Sequence, residues 1–243
     1  MLSCTAQLPP ALSNHAVDES TAETPQPAID DSLAAALARH TIELPADQVA
    51  LLDRYVRLLW DWNEKLNLTR HTDYEKFVSR DVVDTRELAR LLHAGETVLD
   101  VGSGGGVPGL VLAILRPDLH VHLTEATGKK ARVLERMIAE LAVPAKVFAT
   151  RAEKQLAERT YDAVVVRAVG PLPELLTWFQ PHWGAIGRLL VIKGPKWVEE
   201  RGQARHVGLL KGLELRKAAE YPLPGTHSQS VILKIWPEKS AEK

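Results

Sequence analysis

The sequence predicts an α/β protein with a doubly wound, mostly parallel sheet, and three observations support that class. From residue 95 onward, short runs rich in Val, Leu and Ile alternate with helix-length segments, as in parallel strands joined by helices. The strand candidates are nearly continuous apolar runs, which is typical of strands buried on both faces. The end of the chain breaks this alternation, because two strand-like runs follow each other without a long helix between them. These last two runs predict a closing antiparallel hairpin.

The first part of the chain divides into a polar leader and a helical cap. Residues 1–29 are rich in Pro, Ser, Thr and Ala and show no sustained apolar period, which predicts disorder. Apolar residues then recur at three-to-four spacing from Leu33 to Ala38 and again from Val49 to Asn63, which predicts two amphipathic helices. A third helix is predicted over about 73–92. We therefore expect a disordered leader at 1–29, a helical N-terminal cap at 30–94 and a sheet domain at 95–238.

The sheet domain is predicted from repeated strand, loop and helix signals. The predicted parallel strands are 97–101, 119–124, 145–149, 162–167 and 188–193. The predicted helices between them are 108–115, 128–142, 171–183 and 195–211. The first of these helices opens on a proline, which is favoured in the first helical turn. The hairpin strands are predicted at 213–222 and 229–236.

Composition excludes several classes of protein. Cys4 is the single cysteine, so one chain has neither a disulfide framework nor a zinc site built from cysteines. No run approaches the ~18 apolar residues of a membrane span. The first residues also lack the basic start and apolar run of a signal peptide. We expect a cytoplasmic protein with no membrane partner.

The net charge of −1 conceals two unlike regions. Residues 1–48 hold seven acidic residues against Arg39, whereas the remainder holds 29 Lys and Arg against 24 Asp and Glu, a net charge of +5. A basic body is compatible with an RNA partner, and solvated helix faces are the alternative explanation. Trp60 falls on the apolar stripe of its helix, whereas Trp62 lies off that stripe and could stack on a base. Basic residues cluster at three places: Lys129, Lys130, Arg132 and Arg136; Arg201 and Arg205; and Arg216 and Lys217.

Residues 99–109 read Leu-Asp-Val-Gly-Ser-Gly-Gly-Gly-Val-Pro-Gly and predict a binding loop for a nucleotide-type cofactor. A glycine-rich turn at a strand end lets the backbone approach a ligand closely, and the following helix N-terminus favours polar or anionic groups. Residues 104–109 also satisfy the G-x-G-x-x-G pattern of dinucleotide-binding proteins. The glycines alone therefore do not choose between S-adenosylmethionine and a dinucleotide.

Asp100 favours S-adenosylmethionine. It precedes the loop, where its carboxylate would repel a pyrophosphate but attract the ammonium and sulfonium groups of S-adenosylmethionine. Glu125, at the end of the second strand, can accept hydrogen bonds from the ribose hydroxyls of either cofactor, so it does not discriminate. A dinucleotide and a purely structural glycine turn stay open as alternatives.

Six short motifs, taken in order, resemble one bacterial family. They are Asn67-Leu68-Thr69, Arg80-Asp81-Val82-Val83-Asp84-Thr85, the stretch from Asp100 to Gly109, Arg151-Ala152-Glu153, Arg167-Ala168 and Lys193-Gly194. Together they are similar to the ribosomal RNA small subunit methyltransferase G family, also called glucose-inhibited division protein B. The resemblance covers about 45–236. It is specific because the Val-Pro-Gly end of the loop occurs together with the downstream Arg-Ala and Lys-Gly pairs.

The resemblance implies a fold, an activity and a partner. The fold is a Rossmann-like class I S-adenosylmethionine-dependent methyltransferase sheet with the helical cap. The activity is transfer of a methyl group from S-adenosylmethionine to N7 of a guanosine in small-subunit (16S) ribosomal RNA, with S-adenosylhomocysteine as product. The partner is that RNA or the 30S particle, and we expect a monomer. One departure is visible, because Asp81 stands where the family usually has a histidine, so no role of that histidine is carried over.

The resemblance and the strand ends together predict the site residues. Ala152 and Glu153 are expected at the adenine, although an acid at a helix start also complements the helix dipole. Arg167 ends the fourth strand and is expected to position substrate and cofactor, the alternative being an ion pair with Asp162, Glu174 or another acid. The predicted cofactor contacts are Asp100, Gly102, Ser103, Gly104, Gly106, Val107, Glu125, Ala152, Glu153 and Arg167. The predicted RNA contacts are Arg80, Arg151 and Lys193.

The absence of other catalytic motifs is consistent with guanine N7 as the acceptor. Methylation of a pyrimidine at carbon 5 needs a cysteine nucleophile, and Cys4 lies in the leader. Amino-group methylation commonly uses Asn/Asp-Pro-Pro-aromatic after the fourth strand, whereas residues 167–173 read Arg-Ala-Val-Gly-Pro-Leu-Pro. Guanine N7 carries a lone pair and no proton, so we predict positioning without a general base or a metal. A small-molecule methyltransferase and a non-enzymatic nucleotide-binding or RNA-binding protein are the alternatives.

Overall fold

The computed structural model describes residues 1–2, 31–226 and 228–238. Nearly all of the predicted leader, 1–29, lies outside these residues. The two helices predicted first are confirmed, and the third is present with an internal change of helix type. The cap elements are α1 (Leu33–Arg39), α2 (Ala46–Asn63), α3 (Tyr74–Lys76), a π-helical segment (Phe77–Val82) and α4 (Val83–Ala89).

The predicted doubly wound sheet with a closing hairpin is confirmed. The strands are β1 (Thr97–Val101), β2 (His120–Thr124), β3 (Ala145–Phe148), β4 (Tyr161–Arg167), β5 (Ile186–Lys193), β6 (Leu213–Pro222) and β7 (Gln229–Pro237). They form one sheet in the order β3-β2-β1-β4-β5-β7-β6. The first five pair in parallel, and β7 pairs antiparallel with both β5 and β6.

The helices of the sheet domain differ from the prediction in three places. The short α7, Ala152–Glu158, was not predicted. The predicted helix at 171–183 divides into α8, Leu172–Phe179, and a 3-10 segment, Gln180–Ala185, because Pro181 has no N–H to continue the α-helical pattern. The predicted helix at 195–211 is shorter as α9, and it is followed by Gly208 at φ +77°. The domain helices are α5 (Gly109–Leu115), α6 (Gly128–Leu141), α7 (Ala152–Glu158), α8 (Leu172–Phe179) and α9 (Trp197–His206).

The core lies on both faces of the sheet, and the cap belongs to one of them. Adjacent strand residues face opposite sides, so that Val98 packs with the cap and with α5 and α6, whereas Leu99 packs with α7 and α8. Leu52 and Phe77 of the cap are fully buried in the same cluster as Val98. The cap helices therefore share their core with the sheet, and the division into cap and sheet domain stays a prediction from sequence.

The sheet topology brings the predicted site residues to one edge. In the parallel register, Val101 pairs with both Thr124 and Val166, so β1, β2 and β4 end side by side. The chain order reverses between β1 and β4, and ligands of such sheets bind at the carboxyl ends of the strands at this switch point. The glycine loop, Glu125 and Arg167 all follow or end these strands. No helix in the described ranges has both the length and the apolar composition needed to cross a membrane.

Candidate active site

The glycine loop after β1 leaves a space that a side chain would fill. Gly102 has φ +68°, in the left-handed region that favours glycine. A Cβ at this position would lie 2.9 Å from Cγ2 of Val169, in the turn after β4. Gly102 is exposed, so the space beside it is open to a ligand. A substituent at this position would close the gap between the loop and the β4 turn.

The two carboxylates that are predicted to face a ligand accept hydrogen bonds from backbone N–H groups of the loop and its flanks. The Asp100 carboxylate accepts a hydrogen bond from the backbone N–H of Gly109, with 3.0 Å between N and Oδ2. The Glu125 carboxylate accepts from the backbone N–H of Gly104 at 3.0 Å and from that of Thr127 at 2.7 Å. Both side chains are buried. Their contact with the cofactor stays a prediction, and what the structure shows is that Glu125 holds the middle of the loop and Asp100 holds its end.

The Asp100 side chain is almost completely buried. Its exposed fraction is 1%, and among the described residues its Oδ1 atom has no hydrogen-bond partner. Burial raises the pKa of the Asp100 carboxyl from its ordinary value of 3.8 to about 6. The folded protein therefore favours the protonated acid, and ionisation of Asp100 costs stability as the pH rises through about 6.

We expect the Asp100→Asn variant to gain stability relative to the wild type as the pH rises. The raised pKa corresponds to a cost of about 3 kcal/mol above pH 7, and this cost disappears below the ordinary pKa. Between pH 5 and pH 7.5 the difference in unfolding free energy should therefore shift by about 1 kcal/mol in favour of Asn. Denaturant unfolding at the two pH values measures this shift. Asp61→Asn removes an exposed carboxylate as the control, and an equal shift in both variants would contradict the prediction.

The cap fixes the loop from the other side. The hydroxyl of Tyr55, in α2, donates to the carbonyl oxygen of Gly105 at 3.0 Å. A Cβ on Gly105 would lie 2.8 Å from Cδ1 of Leu59, so the loop and α2 are in close contact. The side-chain oxygen of Asn63 accepts from the backbone N–H groups of Leu68 and of Thr69, at 2.8 and 2.9 Å. Sequence reasoning missed Tyr55, because a tyrosine on an apolar helix stripe is typical of core.

A smaller cavity of about 170 Å³ lies beside the loop. Its lining includes three residues that are predicted to contact the cofactor, Gly102, Ala152 and Glu153, and Arg151, which is predicted to contact RNA. Glu153 stands in the first turn of α7, the helix that the sequence did not predict. The structure thus brings the end of β1 and the start of α7 to one cavity, as the resemblance implied for an adenosine site.

A larger cavity of about 750 Å³ also reaches the turn after β4. Its lining includes the loop from Asn67 to His71 and the predicted residues Arg80 and Arg167. Ala168 also lines this cavity, whereas its neighbour Val169 lines the smaller one. Consecutive residues from Arg167 to Val169 therefore line two different cavities.

Arg167 is held by two buried carboxylates. Its Nη1 atom is 2.7 Å from Oδ1 of Asp81 and 3.3 Å from Oδ2 of Asp84. Nδ1 of His71 donates to the Asp81 carboxylate at 3.0 Å, and the hydroxyl of Tyr221 donates to Oδ1 of Asp84 at 2.8 Å. The structure thus shows the alternative prediction for Arg167, an ion pair, at the wall of the larger cavity, and its partners are Asp81 and Asp84. Asp81, the departure from the family pattern, is 1% exposed and supplies the shorter of the two contacts.

The pKa shifts in this cluster follow from burial and pairing. Burial raises the pKa of the Asp84 carboxyl above its ordinary value, and Arg167 and the Tyr221 hydroxyl oppose that rise. Burial by itself would lower the pKa of Arg167, but Asp81 and Asp84 raise it above its ordinary value. The guanidinium is therefore permanently charged and fixed in place. Its loss would leave two buried carboxylates without their counter-ion.

Lys193 lies apart from both cavities. Its ammonium is 2.7 Å from Oε2 of Glu200 and donates to the carbonyl oxygen of Gly170 at 2.6 Å. The side chain is 10% exposed, so contact with RNA stays a prediction that would require this pair to open.

Two predicted cofactor contacts of the glycine loop point elsewhere. Ser103 is buried and donates to the carbonyl oxygen of Asp100 at 3.2 Å, and Val107 packs against the core. Neither of these two loop residues lines the cavities.

A third cavity lies at the opposite edge of the sheet, away from the glycine loop. A cavity of about 980 Å³, larger than either of the two above, is lined by the first residues of four strands, Thr97, His120, Ala145 and Tyr161. It therefore opens at the amino-terminal edge of the sheet, opposite the glycine loop. Within the described residues, no group of three or more His, Cys, Asp or Glu side chains could hold a metal ion.

Comparison with known proteins links these features to one family. The model of the family described as "GidB: rRNA small subunit methyltransferase G" matches residues 48–221. A ribosomal RNA small subunit methyltransferase G from Rhodopirellula baltica is 50% identical over 195 residues, which cover 80% of this chain and 84% of that protein. Its namesake from Chromobacterium violaceum is 33% identical over 201 residues, covering 82% and 93%.

Solved structures support the fold. A mutant of MtNAS in complex with S-adenosylmethionine aligns with a TM-score of 0.53 at 16% identity, covering 85% of this chain and 84% of that chain. MtNAS in complex with MTA and tNA aligns with a TM-score of 0.51 at 13% identity, covering 83% and 74%. At these identities the likeness concerns the fold alone.

Proposed function

The chain belongs to the ribosomal RNA small subunit methyltransferase G family, and we propose that it transfers a methyl group from S-adenosylmethionine to N7 of a guanosine in small-subunit ribosomal RNA. The enzyme acts in the cytoplasm. The observation that carries the proposal is the pair of cavities lined by the consecutive residues Arg167, Ala168 and Val169. A methyl donor on one side and an acceptor base on the other would meet at this segment.

The smaller cavity has the features that S-adenosylmethionine needs. Gly102 leaves free the space that a Cβ would occupy, and a backbone without a side chain can approach a ligand closely. Gly102 would approach the methionine side, and Ala152 and Glu153 would hold the adenosine. When bound, the cofactor supplies a methyl group that is activated by its attachment to a sulfonium.

The residues of this chain position the acceptor and need not accept a proton from it. Guanine N7 offers a lone pair and carries no proton, so correct placement of the base is the main requirement. Arg80 and Arg167 line the acceptor cavity, and guanidinium groups bind phosphate oxygens or the O6 edge of guanine. Asp81 and Asp84 fix Arg167 before the RNA arrives. Such preorganisation lowers the free energy needed to reach the reactive arrangement.

The test is transfer of tritiated methyl groups to ribosomal RNA from a strain that lacks this protein. We expect label in 7-methylguanosine of the small-subunit RNA after digestion to nucleosides and mass analysis. RNA from the parent strain, which is already methylated, is the matched control and should take up no label. Protein-free RNA and 30S particles are assayed side by side to identify the form of the substrate.

Other outcomes identify the alternatives. Label in another nucleoside would exclude the N7 assignment. Label in a small-molecule extract, with none in RNA, would indicate a small-molecule methyltransferase on the same fold. Binding of S-adenosylhomocysteine without any transfer would indicate a non-enzymatic binding protein.

A further inference from the structure

A row of cations begins at the rim of the smaller cavity. α6 starts at Gly128, two residues after Ala126, which lines that cavity. Lys129, Arg132 and Arg136 are exposed, and their spacing of three and four residues places them on one side of the helix. This side extends over about 10 Å, given a rise of 1.5 Å per residue. It leads away from the cavity toward the end of α2.

At the far end of this row, an aromatic ring holds two cations in place. Nζ of Lys65 lies 5.3 Å and the guanidinium carbon of Arg136 lies 5.4 Å from the centre of the Trp62 ring. The adjacent Asn63 organises the backbone of Leu68 and Thr69, which line the larger cavity. The cations thus extend from the rim of one cavity, across Trp62, to the loop that lines the other.

In the described part of the chain, no carboxylate forms a salt bridge with the four cations Lys65, Lys129, Arg132 and Arg136. An aromatic ring orients a cation without neutralising it, whereas a carboxylate would do both. Acidic residues occur nearby, at Glu64, Glu135 and Glu140, but they pair with none of these four cations. Exposed cations fixed in this way are suited to binding phosphates.

We propose that Lys65, Lys129, Arg132 and Arg136, arranged around Trp62, form a docking surface for the sugar-phosphate backbone of the substrate RNA. This inference rests on the proposed function, because it concerns the RNA that flanks the target guanosine. The surface would bind phosphates beside the smaller cavity, while Arg80 and Arg167 would contact the target nucleotide in the larger cavity. Phosphate contacts of this kind fix the register of the RNA without reading its sequence.

The test compares two double variants that each remove two exposed positive charges. Arg132→Gln/Arg136→Gln changes the proposed surface. Arg205→Gln/Lys211→Gln is the control, because these cations are also exposed and follow β5, on the side of the sheet where α8 and α9 pack. For each variant we measure RNA binding by filter retention over a range of salt concentrations, methyl transfer, S-adenosylhomocysteine affinity by calorimetry, and melting temperature.

We expect the first variant to bind protein-free small-subunit RNA about tenfold more weakly at 0.15 M salt, with the slope of log affinity against log salt reduced by about 1 to 2. Its S-adenosylhomocysteine affinity and melting temperature should match those of the control. Trp62→Leu should weaken RNA binding about threefold, since it releases two of the cations while keeping an apolar side chain.

The outcomes separate this inference from the proposed function. Equal RNA binding and equal salt slopes in the two double variants would overturn the docking surface. A loss seen with 30S particles but not with protein-free RNA would indicate a protein partner and would also overturn it. If the wild type binds RNA through this surface yet never transfers a methyl group, the proposed function fails while the docking surface stands.

Discussion

Replacing Arg167 by Ala should reduce methyl transfer by a factor of ~100 or more and destabilise the protein by about 3–5 kcal/mol. The loss of stability follows from Asp81 and Asp84, which are buried and would lose their shared counter-ion. The loss of activity follows from the position of Arg167 at the wall of the larger cavity, where we propose that the acceptor base binds. Denaturant unfolding and tritium transfer measure the two effects, and S-adenosylhomocysteine affinity should fall much less than transfer.

Two further variants separate the structural from the catalytic contribution of Arg167. Arg167→Met combined with Asp81→Asn and Asp84→Asn removes all three charges, so stability should largely return while activity stays low. Arg188→Ala is the matched control, because it breaks a comparably shielded ion pair with Glu96, 2.6 Å long, at the opposite edge of the sheet. It should lose stability but keep its activity per folded molecule. If Arg167→Ala retains as much transfer as Arg188→Ala, Arg167 has a structural role alone.

Replacing Gly102 by Ala should weaken S-adenosylhomocysteine binding at least tenfold. The new Cβ would occupy the space between the glycine loop and Val169, at 2.9 Å from Cγ2 of that side chain. A left-handed backbone conformation also costs an L-residue about 1–2 kcal/mol. Calorimetric titration with S-adenosylhomocysteine measures the affinity, and thermal unfolding measures the strain.

Gly95→Ala is the control for backbone strain. Gly95 has φ +77°, close to the +68° of Gly102, but nothing lies within 4 Å of its added Cβ. Both variants should therefore lose stability through backbone strain, Gly102→Ala should lose more because its Cβ also meets Val169, and only Gly102→Ala should lose affinity. The double variant Gly102→Ala/Val169→Ala relieves the steric contact, and we expect its affinity to stay low because the ligand itself needs this space. Full recovery of affinity would show that Val169 alone was the obstacle.

The fold could be predicted well from sequence because its signals are local. Strand β1 was predicted at its observed ends, Thr97–Val101, since an apolar run bounded by polar residues and glycines is complete within a few residues. The order of strands and helices also predicted parallel pairing and the final hairpin. The missed helix α7 reads Ala-Glu-Lys-Gln-Leu-Ala-Glu, so Leu156 is its one large apolar residue and no apolar period is visible. The π-helical segment in the cap likewise has no signature in the apolar spacing.

The candidate site could be predicted only in part. Gly102, Ala152 and Glu153 were assigned to one cofactor and do line one cavity, because the ends of neighbouring parallel strands must meet. Their contact with the cofactor stays a prediction. Asp100 and Glu125 were assigned to the ligand from their places beside the loop, but sequence position did not indicate which way each carboxylate turns. In the structure both turn to backbone N–H groups of the loop and its flanks.

By itself, the sequence determined the fold class, the glycine loop and the family, because apolar periods, glycine positions and motif order are properties of neighbouring residues. Only the tertiary structure decided the partners of the charged and hydroxyl groups. Tyr55 reaches Gly105 across 50 residues, Arg167 reaches Asp84 across 83, and Tyr221 reaches Asp84 across 137. No local pattern encodes such pairs, because they form only when the sheet brings distant strand ends and the cap together. The same packing brought Lys65 and Arg136 together over the ring of Trp62.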